Sequence, residues 1–169
     1  MKTNYLILLL TVALHSCAMA QSKPENEVVK KIELDSFSNK IGMEMALKIV
    51  DLAKSRNQHI AVEVCRLNHT VFSYVDDMLP TNSNNWLRRK ANVAKQFEES
   101  SLSLKIKMQD GNKSLASTFG LNEKDFVAKG GAIPIFVKHA GMIATITVSG
   151  LSDEEDHKII IDALKGKYF

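Results

Sequence analysis

The sequence has few of the residues that mark specialised protein classes. Only two of its 169 residues are cysteines, which excludes a small domain held together by many disulfide bonds. The formal net charge of +3 is too small to indicate nucleic-acid binding unless basic residues cluster on one face. With 45% apolar, 24% charged and 7% aromatic residues, the chain is neither a disordered tail nor a coiled-coil rod. Its length fits one ordinary globular domain.

An apolar run near the N-terminus is too short to cross a membrane. Residues 5–14 form this run, which follows Lys2 and has about half the length of a membrane-spanning helix. The small-residue triplet 18–20 (Ala-Met-Ala) comes next. This arrangement is typical of a secretory signal peptide over residues 1–20 and predicts an exported protein, periplasmic or secreted. In a competing interpretation the run ends in a lipoprotein box, and the protein is anchored through acylated Cys17.

Removal of residues 1–20 would leave a mature chain that has no transmembrane segment and only one cysteine, Cys65. An internal disulfide bond is then excluded, so stability must come from the core or from assembly. Residues 21–27 are expected to form a flexible N-terminal segment. Because no repeat, low-complexity tract or linker follows, we predict a single domain over residues 28–169.

Apolar periodicity and turn residues place helices and strands along this domain. A period of 3.6 predicts a long first helix, and alternating apolar residues predict strands that pair as hairpins. Ser152, with Glu155 three positions later, forms a capping box at the start of the last helix. Residues 102–108 fit either a strand or a short helix. The other predicted elements are helices over 38–56, 85–98 (capped by Asn84 or Asn85), 123–128 and from 152 onwards, and strands over 60–65, 70–75, 133–138 and 142–149.

The order of these elements predicts the fold class. Hairpins imply antiparallel pairing, and both faces of a sheet need to be covered by helices. We therefore expect an α/β (α+β) fold, a three-layer sandwich in which an antiparallel sheet of about five strands carries helices on both faces. The first helix has an apolar arc wider than half its circumference, which fits contact with both the sheet and a neighbouring subunit. A helix buried deep in one core would give the same pattern.

The helix predicted over 85–98 carries a lysine within its apolar face. Lys90 lies between Trp86 and Val93 on the helical wheel. A cation there is costly unless its head reaches water or an anion. Lys90 is therefore aimed either at an anionic ligand or backbone carbonyls, or at solvent from the edge of a packed helix. Arg88 is expected on a solvated or intersubunit face, with Arg89 between the two faces.

A histidine on the last helix is the second candidate for a functional residue. His157 shares a face with Ile160 and Leu164, which points it towards the core. A neutral imidazole there could ligate iron or act as an acid or base. The alternative is a hydrogen-bonded histidine that fastens the start of the helix to the sheet. Asp156 beside it also fits a first-turn acid that compensates the helix dipole.

Motifs of several enzyme classes are absent from the sequence. The Gly130-Gly131 pair is not part of the G-x-x-x-x-G-K-[ST] pattern of a phosphate-binding loop. Ser149 lacks the preceding glycine of a nucleophile elbow, and the histidines have no HExxH spacing. Cys65 lies in a predicted strand, where it is better interpreted as a small core residue than as a nucleophile. The residues alone do not decide whether the chain is an enzyme.

Three stretches of the domain combine with a specific spacing. The first covers residues 85–93 and is followed by Phe97, the second is the Gly-Gly-Ala-Ile-Pro-Ile segment 130–135, and the third covers 148–157. Together they resemble the HbpS/GlcG-like family of haem-degrading-domain proteins, most closely a small branch of it found in bacteria and fungi. The similarity extends from about residue 34 to residue 164.

This resemblance implies a profilin-like fold and ring-shaped homo-oligomers. It also implies haem as a cofactor, with slow breakdown of the porphyrin in some relatives. The cations at 88–90 would then meet the haem propionates, and His157 would be the metal ligand, with His139 and His69 as alternatives. The positions carried over as cofactor-binding residues are Asn85, Trp86, Arg89, Lys90, Gly130, Gly131, Ser149, Asp156 and His157.

Two functions follow from the residues and the resemblance together. One is an exported haem-binding protein with slow haem-degrading activity. The other is a non-catalytic oligomeric binding or scaffold module in which the same motifs stabilise ring assembly. A small-molecule enzyme that uses Lys90 or His157 on a carboxylate-bearing metabolite is a third reading. No nucleic-acid partner is expected.

Overall fold

The computed structural model describes residues 28–169, so the predicted signal peptide, Cys17 and the segment 21–27 lie outside the described residues. No helix within residues 28–169 is both long enough and apolar enough to span a membrane. In chain order the elements of this range are β1 Ile32–Leu34, α1 Asn39–Ser55, β2 Ala61–Arg66, β3 His69–Val75, α2 Ser83–Phe97, α3 Ser101–Asp110, α4 Leu115–Phe119, β4 Ala132–Val137, β5 Gly141–Ser149 and α5 Asp153–Leu164.

The strands form one five-stranded sheet in the order β1-β4-β5-β2-β3. The predicted hairpins β2–β3 and β4–β5 are both present, and β5 also pairs antiparallel with β2. The outer strand β1 instead pairs parallel with β4, with Ile32 opposite Ile135. The expectation of an antiparallel sheet therefore needs one correction. The three residues of β1 are too few to show alternation, so its pairing with a strand about one hundred residues later could not be predicted.

Helices cover both faces of the sheet, as the sequence predicts. α1 and α5 pack on one face, and α2 and α3 pack on the other. The main hydrophobic core lies under α1 and α5, where Met45, Ile146 and Ile160 are fully buried. Each such side chain contributes roughly 1.5–3 kcal/mol through its removal from water. A smaller cluster of Val93, Leu104 and Leu115 joins α2, α3 and α4.

The first helix matches its prediction within one residue at each end. The Ser38 hydroxyl accepts a hydrogen bond from the Ile41 amide at 3.2 Å and so caps its N-terminus. Met45 and Ile49 face the core, whereas Met43 and Leu47 each stay 42% exposed. The wide apolar arc is thus not explained by burial in one core, because part of it remains open at the surface of this single chain.

The predicted start of the helix over 85–98 is wrong. α2 begins at Ser83 rather than near Asn85, and its cap is Asn82, not Asn84 or Asn85. The start is earlier because the Ser83 hydroxyl and amide both donate to the Pro80 carbonyl, which turns the chain into the helix two residues sooner. Of the two structures that residues 102–108 fit, a strand or a short helix, the helix is the one present, as part of α3.

No helix forms over residues 123–128, where the sequence predicted one. Side chains of α2 bind the backbone of this segment instead: Arg89 Nη2 donates to the Glu123 carbonyl at 2.5 Å, and Asn92 Nδ2 donates to the Asp125 carbonyl at 2.9 Å. Because α2 satisfies these carbonyls, the segment does not need helical hydrogen bonds. The short helix of this region lies earlier, at α4, capped by Ser114.

Candidate functional site

Two adjoining cavities lie beside α2 and the C-terminal end of β5. The larger one, called the main cavity, has a volume of about 470 Å³, and the smaller one, the side cavity, has about 230 Å³. Trp86, Lys129 and Asp153 line both cavities and so form the wall between them. The main cavity lies within the size range of small-molecule sites. Its other walls include Arg89, Lys105, Met108, Lys113, Leu115 and Phe126.

Trp86 and its neighbouring cations form one side of the main cavity. The Arg89 Cζ lies 4.8 Å, and the Lys129 Nζ 5.1 Å, from the centre of the indole ring, which is cation–π distance. Helical spacing places Trp86 and Arg89 on one face of α2, three residues apart. The Arg89 Nε is buried and has no hydrogen-bond partner within residues 28–169. A flat aromatic wall and an incompletely satisfied guanidinium thus face the same space.

The lining of the main cavity carries more positive than negative charge. Its ionisable residues are four cations and two acids, Glu123 and Asp153. Lys105 is neutralised by Asp153 at 2.8 Å. Lys113 and Lys129 have no acidic partner within 4.0 Å in the described part of the chain. An anion entering the cavity would therefore meet two unpaired ammonium groups beside an apolar surface.

A buried ion pair forms the floor of the side cavity. Lys90 Nζ donates to Asp156 Oδ2 at 2.6 Å and to the Val148 carbonyl at 3.3 Å. The two charged side chains are only 3% and 1% exposed. Asp156 Oδ1 also accepts from the Leu151 amide at 3.0 Å, so both carboxylate oxygens are bound. Burial raises the pKa of Asp156 to about 6, although Lys90 opposes this shift. Lys90 therefore reaches an anion, but that anion is Asp156, and the pair ties α2 to α5.

The two consecutive glycines make room for this ion pair. A Cβ atom on Gly131 would overlap the Val148 carbonyl oxygen and lie 2.8 Å from the Asp156 Cβ. The backbone of Gly131 also has a φ of +111°, which residues other than glycine rarely adopt. A Cβ on Gly130 would overlap the Asp153 carbonyl. Gly130 and Gly131 thus let the start of β4 approach the first turn of α5 closely, which is a structural role.

His157 is next to the ion pair in sequence but not in either cavity wall. It is 5% exposed, and burial lowers its pKa to about 4, so the imidazole is neutral at pH 7. Neither ring nitrogen has a hydrogen-bond partner within residues 28–169. The prediction that His157 points towards the core is confirmed. The alternative of a hydrogen-bonded histidine is not what the structure has, and the role as a metal ligand stays a prediction.

Of the remaining predicted site residues, one lines the side cavity and the others lie at the surface. Ser149 is 7% exposed and lines the side cavity. Asn85 is exposed, and its Oδ1 accepts from Arg88 at 3.1 Å. His69 and His139 are exposed at the turns of the two hairpins, away from these cavities. Within residues 28–169, no cluster of three or more His, Cys, Asp or Glu side chains has metal-binding geometry.

Several wall residues of the main cavity were not identified from the sequence. Lys105, Lys113 and Lys129 come from α3, from the loop after it and from the residue before Gly130. Phe126 comes from the segment that was predicted as a helix. Each is an ordinary surface lysine or apolar residue in its own stretch, so only the fold brings them together. The available signal was the aromatic–basic pair Trp86 and Arg89 on one helical face.

Known proteins match this chain over most of its length. A family model described as "Haem degrading protein HbpS-like" matches residues 37–165. A UPF0303 protein of Zymomonas mobilis is 33% identical over 135 residues, which are 80% of this chain and 73% of that protein. A UPF0303 protein of Paraburkholderia phymatum is 36% identical over 115 residues, 68% of this chain and 69% of that protein.

Solved structures show the same fold. The crystal structure of the Ybr137w protein superposes with a TM-score of 0.72 at 25% identity and covers 79% of each chain. The crystal structure of HbpS gives 0.63 at 19% identity, covering 79% of this chain and 91% of that one. A structure described as a complex of PduOC with haem gives 0.61 at 19% identity, covering 79% and 98%. The last two, at this identity, show the fold alone. The resemblance read from three stretches of sequence is confirmed, and the chain belongs to the HbpS-like family.

Proposed function

We propose that this chain binds haem, or a related tetrapyrrole that carries carboxylates, in the main cavity. The observation that carries the proposal is the combination of an apolar, aromatic wall with an excess of cations, among them Lys113 and Lys129. A tetrapyrrole needs an apolar slot for its ring and cations for its propionates. Membership of a family described as haem-degrading supports haem in particular, as does the haem complex solved for PduOC.

The walls of the main cavity fit the ring and its carboxylates better than they fit the iron. None of the residues that line it carries an imidazole, thiol or phenol, and the Met108 thioether is its one soft donor. The neutral imidazole of His157 has the right chemistry, but it does not line the cavity. We therefore expect recognition to depend on the ring and the carboxylates, so that metal-free protoporphyrin binds as well as haem does.

A titration of the purified protein with hemin tests this proposal. We expect a saturable Soret shift at micromolar hemin. Lys113→Glu and Lys129→Glu should each weaken hemin binding about tenfold, which is about 1.4 kcal/mol of binding free energy. Each variant replaces an unpaired cation with a carboxylate that repels the propionates. Lys48→Glu, an exposed site on α1, is the matched control and should bind normally. The absence of a Soret shift in the wild-type protein would refute the proposal.

A His157→Ala variant separates iron ligation from recognition by the walls. If recognition rests on the cavity walls, this variant keeps its affinity for metal-free protoporphyrin. Loss of the Soret shift together with retained protoporphyrin binding would identify His157 as the iron ligand. Loss of both, in a variant that still folds by circular dichroism, would contradict the assignment of the ligand to the main cavity.

A second candidate function is that of an oligomeric binding module, and the exposed side of α1 favours it. Met43 and Leu47 lie one helical turn apart and are each 42% exposed, which suits contact with another copy. The double variant Met43→Glu/Leu47→Glu should dissociate a homo-oligomer in size-exclusion chromatography with light scattering. Ile106→Glu, at an exposed apolar site on α3, is the control. A wild-type monomer at all concentrations would refute this candidate.

Export is a separate proposal, which rests on residues 1–20 and not on the described part of the chain. Mass spectrometry of the protein from its native host should find an N-terminus at Gln21, whereas an acylated Cys17 would favour the lipoprotein alternative and an intact Met1 would refute export. Slow haem breakdown likewise stays a prediction. It would be measured as loss of Soret absorbance in the presence of ascorbate or peroxide, and an unchanged spectrum would contradict it.

A further inference from the structure

A third cavity lies at the opposite end of α2 and shares no wall residue with the other two. It has a volume of about 270 Å³, and its walls include Cys65 of β2, Lys95 near the end of α2, and Met142 and Thr145 of β5. Lys95 comes nine residues after Trp86, about two and a half helical turns away. Nothing in the haem proposal uses this space, so it needs an explanation of its own.

Cys65 is 7% exposed, as expected of a small core residue, but it also lines this cavity, and its sulfur is held between a cation and a carbonyl. Lys95 Nζ donates to Cys65 Sγ at 3.7 Å, and the thiol donates to the Leu67 carbonyl at 3.4 Å. Lys95 has no acidic partner within 4.0 Å among residues 28–169. The ammonium group therefore lies where negative charge would develop if the sulfur reacted as a thiolate, which is the nucleophilic form.

A buried hydroxyl in the same cavity is the independent indication of a ligand. Thr145 is 1% exposed, and its Oγ1 has no hydrogen-bond partner within the described residues. Cys65 and Thr145 are directly paired across β2 and β5, so both side chains project from the same face of the sheet. An unpaired buried hydroxyl costs roughly 1–3 kcal/mol, which a polar group of a ligand would recover.

We propose that Cys65 is a site of thiol–disulfide exchange with small disulfides that carry carboxylates. The Cys65 thiolate attacks one sulfur of the disulfide, whose S–S bond breaks as the new S–S bond forms. The other half leaves as a thiolate and takes up the proton that the Cys65 thiol has lost, so no further oxidant is needed. Lys95 then faces the carboxylate of the attached half, and the Thr145 hydroxyl faces its polar atoms. The cavity volume of about 270 Å³ is close to the lower end of the range for small-molecule sites, which suits half of such a molecule.

The native full-length protein allows a test that needs no variant. Glutathione disulfide, which is anionic, and cystamine, which is a cationic disulfide, are each reacted with the folded protein and with the protein unfolded in urea. Peptide mapping assigns the adduct to Cys65 and separates it from Cys17. For each disulfide, the rate with the folded protein is divided by the rate with the unfolded chain. At low salt this ratio should be at least about fivefold higher for glutathione disulfide than for cystamine, because the Lys95 ammonium group attracts the anionic disulfide. An equal or lower ratio, or no adduct at Cys65, overturns the proposal.

Variants assign this preference to the residues of the cavity. Lys95→Met should abolish the preference for the anionic disulfide, whereas Lys95→Arg and the distant exposed control Lys48→Met should keep it. Thr145→Val keeps the volume of the side chain and should slow glutathione addition about threefold, as expected for one lost hydrogen bond. A Lys95→Met protein that folds by circular dichroism and retains the full preference would refute the role of Lys95 and with it the proposed site.

Discussion

Breaking the Lys90–Asp156 ion pair should destabilise the protein strongly, because the pair is buried and joins two layers of the fold. Asp156→Ala removes the carboxylate that pairs with Lys90, whose side chain is only 3% exposed. It also leaves the Leu151 amide without its hydrogen-bond acceptor. Removal of one partner from a buried pair costs about 3–5 kcal/mol. We expect the same range for Lys90→Met at pH 8. The penalty of Lys90→Met should already shrink as the pH falls from 8 towards 6, because burial raises the pKa of Asp156 to about 6 even beside Lys90. Loss of that cation raises the pKa further, so the carboxyl becomes neutral at a higher pH in the variant.

The double variant Lys90→Met/Asp156→Leu separates the cost of an orphaned charge from the value of the pair. Apolar residues of similar volume can replace a buried ion pair with little loss, so the double variant should recover most of the stability lost by either single one. About 1 kcal/mol should remain lost, because the Leu151 amide keeps no partner.

Urea unfolding followed by circular dichroism gives the free energies for this cycle. The exposed pair Lys138–Asp35 supplies the control, and Asp35→Ala should leave the unfolding midpoint unchanged. A single variant at Lys90 or Asp156 that loses less than about 1 kcal/mol, or a double variant whose loss equals the sum of the two, would refute the account of this pair.

Three further predictions concern the first turn of α5 and its contacts. Burial lowers the pKa of His157 to about 4, so between pH 4 and 6.5 the folded chain binds fewer protons than the unfolded chain, and this histidine makes the free energy of unfolding rise with pH. In His157→Leu that rise should be about 3 kcal/mol smaller than in the wild type, measured by urea unfolding at several pH values. Plots of unfolding free energy against pH that run parallel for the two proteins would contradict this. Gly131→Ala should lower the free energy of unfolding by about 3 kcal/mol or more, because the added Cβ would overlap the Val148 carbonyl oxygen. Gly120→Ala, whose added Cβ meets no atom within 4 Å, should lower it by about 1 kcal/mol. Equal decreases in melting temperature for the two variants would refute the argument. Ser152→Ala should lose about 1 kcal/mol by removing the capping box, and an unchanged melting temperature would show that Glu155 caps the helix alone.

Local sequence patterns were sufficient for most of the fold. The spacing of Met45 and Ile49 marks α1, and the turn around Gly141 joins two strands whose alternation is clear. Their stabilising contacts lie within a few residues or across one hairpin, so the sequence itself records them. By contrast, residues 123–128 have a helical composition, but α2 binds their carbonyls from more than thirty positions away. A long-range contact of this kind overrides local propensity and leaves no local signal.

The candidate site was predictable only in the part that one helix supplies. The position of Lys90 within an apolar face predicted that its ammonium group meets either an anion or carbonyls, or solvent at the edge of the helix. The structure has the first of these, with Asp156 and the Val148 carbonyl as partners. The sequence could not show that the anion is Asp156, since 66 residues separate the two. It also could not show that Lys113 and Lys129 line the same cavity as Trp86, because the three residues come from separate segments of the chain. The chemistry of single residues was thus readable, whereas their partners depended on the tertiary fold.

The most direct test of ligand binding in the main cavity uses the fluorescence of Trp86, the only tryptophan of the chain. Metal-free protoporphyrin is titrated into the protein while this emission and the porphyrin spectrum are recorded together. The account predicts saturable quenching of Trp86 that follows the spectral change, with both shifted to higher concentration by Lys129→Glu. A porphyrin spectral change that saturates while Trp86 emission stays constant would place the ligand elsewhere and contradict the central claim.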